Sequence, residues 1–232
     1  MVLKDSLKPP STQVVIAALN EEEGIGMTIA ELLDSLPNTS VLVVDGKSTD
    51  RTVEIARNLG AQVAYQDGKG KGDAVAKALE YLDPLTDYVV LTDADFTYPG
   101  YRVPEMIQIL QENPHIGMVC GNRFNNHLDK QALRDVFHFG NRIIGFTHNA
   151  LNGVPMHDPL TGLRVIRASI LRGWKVKSKG FDIEVEMNHR VERLGFIVEE
   201  IDVTYRERLG EKKLKVRHGA QIFKRIMLET LY

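Results

Sequence analysis

The sequence predicts an α/β fold in which a mostly parallel central sheet is flanked by helices. Continuous apolar runs of strand length recur through the first hundred residues, and such runs are typical of strands buried on both faces. Each run is followed by a segment with helical periodicity, so that strand and helix alternate four times. Polar residues cluster where the strands end, which is where open parallel sheets bind their ligands.

The first two strand–helix units begin with VVIAAL (14–19) and SVLVVD (40–45), which are unbroken apolar runs. The helix after the first run places Ile25, Ile29 and Leu32 on one stripe. The acidic residues that precede this stripe are expected in the first turn of the helix, where they would complement its dipole.

The next two units lead to a glycine loop and to a pair of aspartates. AQVAYQ (61–66) is predicted as the third strand, and GKGKGDAVAKALEYL (68–82) as a glycine loop followed by a helix. YVVLTDAD (88–95) is predicted as the fourth strand.

The second half of the chain is less regular and predicts mixed topology. The expected elements are a strand and loop at 117–124, a helix at 131–152, a short strand at 163–168, a helix at 181–195 and a strand at 197–208. We expect this half to form an acceptor-side region laid over a nucleotide-binding half.

Length and composition fit one globular domain with a short extension. The chain has 232 residues, 43% of them hydrophobic, and a formal net charge of −2, which argues against a global basic field for nucleic acid. Cys120 is the single cysteine, so an internal disulfide is excluded. The N-terminal residues are polar and no apolar run approaches the ~20 residues of a membrane span, so neither a signal peptide nor a transmembrane helix is predicted. The expected boundaries are a catalytic domain at 1–212, with halves at about 12–100 and 101–212, and a C-terminal helix at 213–232.

Two aspartates, Asp93 and Asp95, end the fourth predicted strand and are here called the acidic pair. Residues i and i+2 of an extended segment point the same way, so both carboxylates would reach one divalent cation bridging phosphate oxygens. Ala94 between them is small enough for a ligand to approach the backbone. The alternative interpretation is a solvated turn.

Other strand ends carry further candidates for a nucleotide site. Asp45 ends the second strand and would accept hydrogen bonds from a ribose or a base, and Glu21 follows the first strand as either a cap or a nucleoside contact. Lys71 lies in the glycine loop, which is either a phosphate contact or a flexible turn, and which is not a Walker A motif.

Arginines follow the strands of the second half. Arg123 stands in GNRF, and a guanidinium forks readily onto phosphate. No Ser/His/Asp arrangement or zinc spacing is visible. His157, beside Asp158, is a weaker catalytic candidate for which a structural hydrogen bond is preferred.

Together, several stretches resemble family 2 glycosyltransferases of the GT-A fold, and within that family the dolichyl-phosphate (polyprenyl-phosphate) sugar synthases. The resemblance spans roughly residues 14 to 216. The matching stretches are IAALNEEEGI, VVDGKSTDRT, GKGKGDAV, DADFTYP, GNRF, DPLTGLRVIR and RERLGEKKLK.

The resemblance implies a role for each candidate residue. The acidic pair would be the DxD motif that binds Mg²⁺ or Mn²⁺, with Asp95 the more direct ligand. The nucleotide-sugar would be bound by Ala17, Leu19, Glu21, Val44, Asp45, Lys71, Asp93 and Ala94. The acceptor phosphate would be bound by Arg123, Arg142, Arg206, Arg208 and Lys213. The expected catalytic residues are Asp95, Arg123 and Arg208, and either Arg206 or Arg208 matches the arginine of the acceptor loop.

The resemblance also implies a metal-dependent, inverting hexosyltransferase that uses a nucleotide-sugar and polyprenyl phosphate in protein glycosylation. Ala17, Leu19, Gly46 and Phe96 depart from the pattern of the mannose enzymes. UDP-N-acetylglucosamine and UDP-glucose therefore stand beside GDP-mannose as candidate donors. A lipid phosphate is already anionic and needs no general base.

The C-terminal residues 213–232 predict an amphipathic helix. The apolar stripe consists of Ile222, Phe223, Ile226, Met227 and Leu231. Either this helix lies at a membrane interface or it packs on the domain. The interfacial interpretation implies a cytoplasmic protein associated peripherally with the cytoplasmic face of a membrane, and a homo-oligomer is possible.

Other functions remain as alternatives. A family 2 transferase acting on a soluble or polysaccharide acceptor would need a carboxylate base, with Asp158 the candidate. A sugar nucleotidyltransferase would share the alternating α/β half, and a scaffold protein would have a decayed site. The chemistry of NEEEG disfavours the nucleotidyltransferase, and the intact acidic pair disfavours the scaffold protein.

Overall fold

A computed structural model of the chain describes residues 10–124, 145, 147, 149–151, 155–211, 213 and 216–231. Within these residues, seven strands form one sheet in the order β3-β2-β1-β4-β6-β5-β7. The strands are β1 (Thr12–Ala18), β2 (Ser40–Asp45), β3 (Gln62–Tyr65), β4 (Tyr88–Asp93), β5 (Ile116–Asn122), β6 (Arg164–Arg167) and β7 (Ile197–Asp202).

Helices connect the strands and cover both faces of the sheet. The α-helices are α1 (Ile25–Ser35), α2 (Thr52–Asn58), α3 (Lys71–Leu79), α4 (Val103–Glu112), α5 (Ala168–Leu171), α6 (Ile183–Arg193) and α7 (Val216–Thr230), and a 3-10 turn covers Gly100–Arg102. The predicted α/β architecture with a mostly parallel central sheet is therefore confirmed.

The sheet topology separates the two halves of the chain. Strands β1 to β4 are parallel, and the register pairs Ala17 with Asp93 and Ala18 with Asp45 at their carboxyl ends. Strand β6 is antiparallel to both neighbours, β4 and β5, whereas β5 and β7 are parallel. The carboxyl ends of β1 and β4 thus meet at one edge, where the polar clusters were predicted.

The core lies on both faces of this sheet. On one face, alternate strand residues such as Val14 and Ile16 join buried residues of α1 and α4. On the other face, Val15 and Leu42 join buried residues of α3 and α6. Each such fully buried aliphatic side chain contributes roughly 1.5–3 kcal/mol, so the core firmly sets the positions of the strand ends.

The prediction that acidic residues occupy the first turn of α1 is wrong. Helix α1 begins at Ile25, and its first turn contains no acidic residue. The carbonyl of Glu21 accepts hydrogen bonds from the amides of Gly24 and Ile25, and the amide of Glu21 donates to Thr52 Oγ1 at 2.8 Å. These contacts hold Glu21 in a turn before the helix because its amide is anchored by a distant segment.

Two further elements differ from the predictions, and a third predicted element lies mostly outside the described residues. Helix α4 was not predicted, although Val103, Met106 and Leu110 have helical spacing and are buried. Strand β7 ends at Asp202, so the predicted strand at 197–208 is too long. The predicted helix at 131–152 falls mostly outside the described residues, and the residues described within that range, 145, 147 and 149–151, are helical.

Helix α7 divides the predicted apolar stripe between two environments. Ile222 and Ile226 are buried against Val185, whereas Phe223 and Met227 remain 47% and 41% exposed. The helix therefore packs on the domain and still presents an apolar surface. Among the described residues, no helix has both the length and the apolar character needed to cross a membrane.

Candidate active site

A cavity of about 440 Å³ opens at the carboxyl ends of β1 and β4. Most of the predicted site residues lie in its wall. They are Ala17, Leu19, Glu21, Lys71, Asp93, Ala94, Asp95, Arg123, Arg208 and Lys213. Residues from both halves of the chain thus converge on one site.

Some predicted site residues lie elsewhere. The described lining of the cavity does not include Val44, Asp45 or Arg206. Both carboxylate oxygens of Asp45 accept hydrogen bonds from Ser48, from its amide at 2.8 Å and its hydroxyl at 2.5 Å, so Asp45 shapes the β2–α2 loop. A nucleoside contact by Asp45 stays a prediction, and Arg142 lies outside the described residues.

Each member of the acidic pair forms an ion pair with a different basic side chain. Asp93 is the last residue of β4, and its Oδ1 lies 2.6 Å from Lys71 Nζ. Asp95 lies beyond the strand, where its Oδ1 accepts hydrogen bonds from the amide and hydroxyl of Thr97. Its other oxygen, Oδ2, lies 2.5 Å from Arg208 Nη1. The pair is therefore placed by two segments that are distant in sequence.

The pKa values of the two carboxyl groups are shifted in opposite directions. Burial alone would raise the pKa of Asp93, but the neighbouring Lys71, followed by Arg123 and Arg208, lowers it overall. Burial and the negative charge of Asp93 raise the pKa of Asp95, and Thr97 and Arg208 only partly offset them. Asp95 is consequently the member whose charge would gain more from a further cation.

Arg208 also connects the acidic pair to the first strand. Its Nη2 donates to Glu21 Oε1, so the guanidinium bridges Glu21 and Asp95. Burial raises the pKa of Glu21 to about 7, although Arg208 opposes this rise. Glu21 Oε2 is buried and has no hydrogen-bond partner among the described residues. This end of the cavity therefore holds acceptor atoms that a bound ligand or cation would satisfy.

Arg123 is paired within the protein. Its guanidinium donates two hydrogen bonds to Asp158, at 2.6 and 2.7 Å, and lies 5.3 Å from the centre of the Tyr205 ring. Asp158 is completely buried, with both oxygens engaged. The arrangement makes Asp158 a partner that orients Arg123, and leaves it poorly placed to act as a base.

The segment after β7, residues 203–213, is here called the acceptor loop, and it is bound to the backbone around the acidic pair. The amide of Arg206 donates to Thr97 O at 2.9 Å, and the amide of Leu209 donates to Asp95 O at 3.2 Å. The Arg206 side chain turns away to pair with Glu31 on α1, at 2.6 and 2.8 Å. Of the two candidate arginines, Arg208 is therefore the one in the cavity.

The glycine loop serves the packing of the protein. The amide of Gly72 donates to Gly180 O at 3.1 Å, and that of Asp73 donates to Lys179 O at 3.2 Å. A Cβ atom on Gly72 would lie 2.3 Å from Ser178 O, which explains the glycine. These two amides are thus already engaged, whereas Gly70 and Lys71 of the loop line the cavity.

Several residues of the site were not predicted. Glu184 on α6 lines the cavity and lies 2.8 Å from Lys71. A Cβ atom on Gly162 would lie 2.3 Å from Asp93 Oδ2, and one on Gly24 would lie 2.7 Å from Ala94 O. Both glycines occur in stretches that carried the resemblance, but a residue without a side chain gives no chemical sign of its role.

The donor atoms of the site fit a hard divalent cation held partly by its substrate. The described residues contain no cluster of three or more His, Cys, Asp or Glu side chains that would form a complete cage. The acidic pair supplies carboxylate oxygens, and Glu21 Oε2 has no hydrogen-bond partner in the described part of the chain. Mg²⁺ is usually bound in this way, by one or two carboxylates together with phosphate oxygens.

Comparisons with known proteins show the family of the chain. The family model described as "Glycosyl transferase family 2" matches residues 13–174. A dolichyl-phosphate hexose transferase of Haloferax volcanii is 34% identical over 219 residues, which cover 92% of this chain and 91% of the relative. An undecaprenyl-phosphate mannosyltransferase of Micrococcus luteus is 28% identical over 214 residues, covering 86% of each chain.

Solved structures share the fold. Glucosyl-3-phosphoglycerate synthase from Mycobacterium tuberculosis, crystallised with Mn²⁺, UDP-glucose and phosphoglyceric acid, superposes with a TM-score of 0.76 at 19% identity. The match covers 96% of this chain and 80% of that chain. By its sequence match and by the extent of its similarity to the hexose transferase, the chain belongs to glycosyltransferase family 2 and is a glycosyltransferase.

Proposed function

We propose that the chain transfers a hexose from a nucleotide-sugar to a polyprenyl phosphate such as dolichyl phosphate. The names of the relatives from Haloferax volcanii and Micrococcus luteus support a lipid-phosphate acceptor. UDP-N-acetylglucosamine, UDP-glucose and GDP-mannose are the candidate donors, and the structural neighbour was crystallised with UDP-glucose.

The composition of the cavity is the observation that carries this proposal. The acidic pair and Arg208 lie in the same cavity as an apolar wall formed by Leu160, Phe181 and Ile222. Ile222 belongs to α7, which also carries the exposed apolar residues Phe223 and Met227. A cationic group beside an apolar wall suits a phosphate attached to a hydrocarbon chain better than it suits a wholly polar acceptor.

The proposed reaction is a single displacement with inversion. An oxygen of the acceptor phosphate forms a bond to the anomeric carbon as the bond to the nucleoside diphosphate breaks. No proton has to move, because the phosphate is already anionic, which agrees with the engagement of Asp158 by Arg123. When bound at the acidic pair, Mg²⁺ or Mn²⁺ would supply positive charge to the leaving diphosphate.

Arg208 and Lys213 are proposed to bind the acceptor phosphate. Both line the cavity, and the guanidinium of Arg208 has donor geometry that matches a phosphate as well as a carboxylate. Arg123 would contribute positive charge from its fixed position beside Asp158. Bringing two anions together in this way contributes through positioning, which is worth several kcal/mol.

We also propose that α7 lies on the cytoplasmic face of a membrane. Phe223, Met227 and Leu231 present exposed apolar surface, with Leu231 74% exposed. Arg225 is not free for lipid headgroups, because its Nε lies 3.1 Å from Asp182 Oδ2. The attachment would therefore be mainly hydrophobic and peripheral.

A donor and acceptor panel tests the proposed function. UDP- and GDP-sugars are incubated with Mn²⁺ and either polyprenyl phosphate or soluble phosphate and polysaccharide acceptors, and labelled sugar is counted in the lipid phase and, after removal of unreacted donor, in the aqueous and polysaccharide fractions. We expect lipid-linked product from one donor class, and its loss on chelation. Transfer to soluble acceptors alone would instead support the alternative, and would return Asp158 to consideration as a base.

A further inference from the structure

Arg164 is a buried cation that the proposed function does not use. It is the first residue of β6, is 1% exposed, and does not belong to the described lining of the cavity. Its guanidinium donates hydrogen bonds to the carbonyl oxygens of Thr161 and Pro159, at 2.9 and 2.8 Å, and to Asn188 Oδ1 at 2.5 Å. These acceptors are neutral, and Arg164 forms no ion pair with a carboxylate in the described part of the chain. Burying a guanidinium without a carboxylate partner is costly, so the hydrogen bonds have to offset that cost.

The carbonyl groups that Arg164 binds belong to residues 158–162, here called the buried loop. Pro159 and Thr161 are buried, and neither lies in a strand or helix. Their carbonyl groups therefore need donors from elsewhere in the protein. The Arg164 guanidinium supplies one donor to each, and Asn188 Nδ2 supplies a second donor to Pro159 O at 3.1 Å. Arg164 thus fixes the buried loop to α6, the helix that carries Asn188.

The buried loop carries the partner of Arg123. Both oxygens of Asp158 accept hydrogen bonds from the Arg123 guanidinium, and Oδ2 also accepts one from the Arg123 amide at 3.1 Å. The direction of the guanidinium therefore depends on where the buried loop places Asp158. Asp93, by contrast, ends its own strand and lies 2.6 Å from Lys71, so the acidic pair has an anchor that is independent of the buried loop.

We propose that Arg164 is a positioning residue for the transfer reaction. It holds the buried loop, the loop holds Asp158, and Asp158 directs Arg123 at the anionic groups that meet in the cavity. A small displacement of such a charged group lowers the transfer rate strongly, because the benefit of positioning depends on geometry. The inference rests on the proposed function, since it explains how one of the cations of that site is held in place.

Arg167, the half-buried last residue of β6, is a matched control. Its guanidinium also donates to backbone carbonyl oxygens, to Ile116 O at 2.8 Å and to Asn113 O at 3.1 Å. The register pairs Arg167 with Tyr88, the first residue of β4, so Arg167 lies at the end of β4 away from the cavity. Lysine at position 164 or 167 would keep the charge but lose the planar set of donors.

The test compares Arg164→Lys with Arg167→Lys. Initial rates with labelled donor give kcat/KM for the lipid acceptor, and calorimetry with Mn²⁺ gives the affinity for UDP, or for GDP if the wild type prefers it. We expect Arg164→Lys to lower kcat/KM by about a hundredfold and to leave the nucleotide affinity within about threefold of the wild type. Arg167→Lys should change neither quantity by more than about threefold. Similar losses of kcat/KM in the two variants, or no loss in Arg164→Lys, would overturn the inference.

A double-mutant cycle identifies the route by which Arg164 acts. In the Arg123→Ala background, Arg164→Lys should lower kcat/KM further by less than about threefold, because the group through which Arg164 acts is already absent. If the loss in that background is as large as in the wild type, Arg164 has a general structural effect and the inference is wrong.

Urea unfolding shows whether each variant is folded under the assay conditions. If Arg164→Lys does not fold, Asn188→Ala takes its place, because it removes one acceptor of the guanidinium. Its expected loss of kcat/KM is about tenfold and should disappear in the Arg123→Ala background, and no loss would overturn the inference. Transfer by the wild type to soluble acceptors alone would instead contradict the proposed function, and the same variants compared with that acceptor would still decide the inference. Absence of transfer to any acceptor would contradict both.

Discussion

The two halves of the chain contribute opposite charges to the cavity. Residues 10–100 supply the carboxylates of Glu21, Asp93 and Asp95, whereas residues 101–231 supply Arg208 and the paired Arg123. Lys71 and Glu184 are the exceptions, and they form an ion pair across the same boundary. The charged groups of the cavity are therefore balanced only when both halves of the chain are in place.

The halves also differ in how they hold their functional groups. In the first half these groups sit at or next to the ends of parallel strands, whose positions follow from the buried core. In the second half, Arg208 lies on the acceptor loop, which is tied to the first half by backbone hydrogen bonds near Asp95. The position of Arg208 therefore depends on the acidic pair as much as on its own segment.

Removing Asp95 should break this balance most severely. We expect Asp95→Ala to lower kcat by at least about a thousandfold, because it removes a proposed metal ligand and the partner of Arg208. Initial rates with the donor identified by the panel measure the effect. Full activity of this variant in the presence of a chelator would show that the acidic pair has no catalytic role.

Two arginines of the same loop allow a residue in the cavity to be compared with one outside it. Arg208→Ala should lower kcat/KM for the lipid acceptor by about a hundredfold, whereas Arg206→Ala should change it by less than about threefold, since Arg206 pairs with Glu31 outside the cavity. Kinetics at varied acceptor concentration test this. A larger loss from Arg206→Ala would mean that the acceptor loop rearranges when substrates bind.

Charged substitutions on the exposed apolar surface of α7 test whether this helix binds a membrane or only packs on the domain. Phe223→Glu combined with Met227→Glu should raise KM for polyprenyl phosphate in vesicles by about tenfold, because exposed apolar area is replaced by charge. The fraction of the protein that sediments together with vesicles should fall for the same reason. The matched control is Leu85→Glu, since Leu85 is 79% exposed and lies outside α7. If the double variant sediments with vesicles like the wild type, α7 does not attach the protein to a membrane.

The smallest expected effect concerns stability rather than catalysis. Burial alone would raise the pKa of Glu31, but hydrogen bonds from Arg206 and the amide of Gly100 lower it below 4.5 overall. A lowered folded-state pKa stabilises the fold above the unfolded pKa, and that contribution is lost as the pH falls through the folded value.

Glu31→Gln should therefore destabilise the fold by roughly 1 kcal/mol at pH 7, with the difference from wild type shrinking below about pH 4.5. Urea unfolding at several pH values measures this. Glu54→Gln is the control, because Glu54 pairs with Arg51 in an exposed position and should have almost no effect. A difference that grew toward acid pH would contradict the sign of the shift.

The class of fold and the place of the acidic pair at a strand end could be predicted from the sequence. Apolar strands that alternate with helices leave few topologies, and polar residues at the ends of parallel strands must meet at one edge of the sheet. These signals are local, so residues such as Asp93 and Asp95 could be identified from the runs in which they stand.

The partners of those residues depend on the tertiary structure and could not be predicted. The Arg208 side chain lies in the cavity and the Arg206 side chain lies outside it, although both residues are on the same loop. The reason is that Asp95 pairs with Arg208, whereas Glu31 on a distant helix pairs with Arg206. The ion pair of Glu184 with Lys71 could likewise not be predicted, since the helical pattern around Glu184 gives no indication that Lys71 lies opposite. Ion pairs between segments more than a hundred residues apart depend on how the core aligns those segments, and no local pattern encodes that distance.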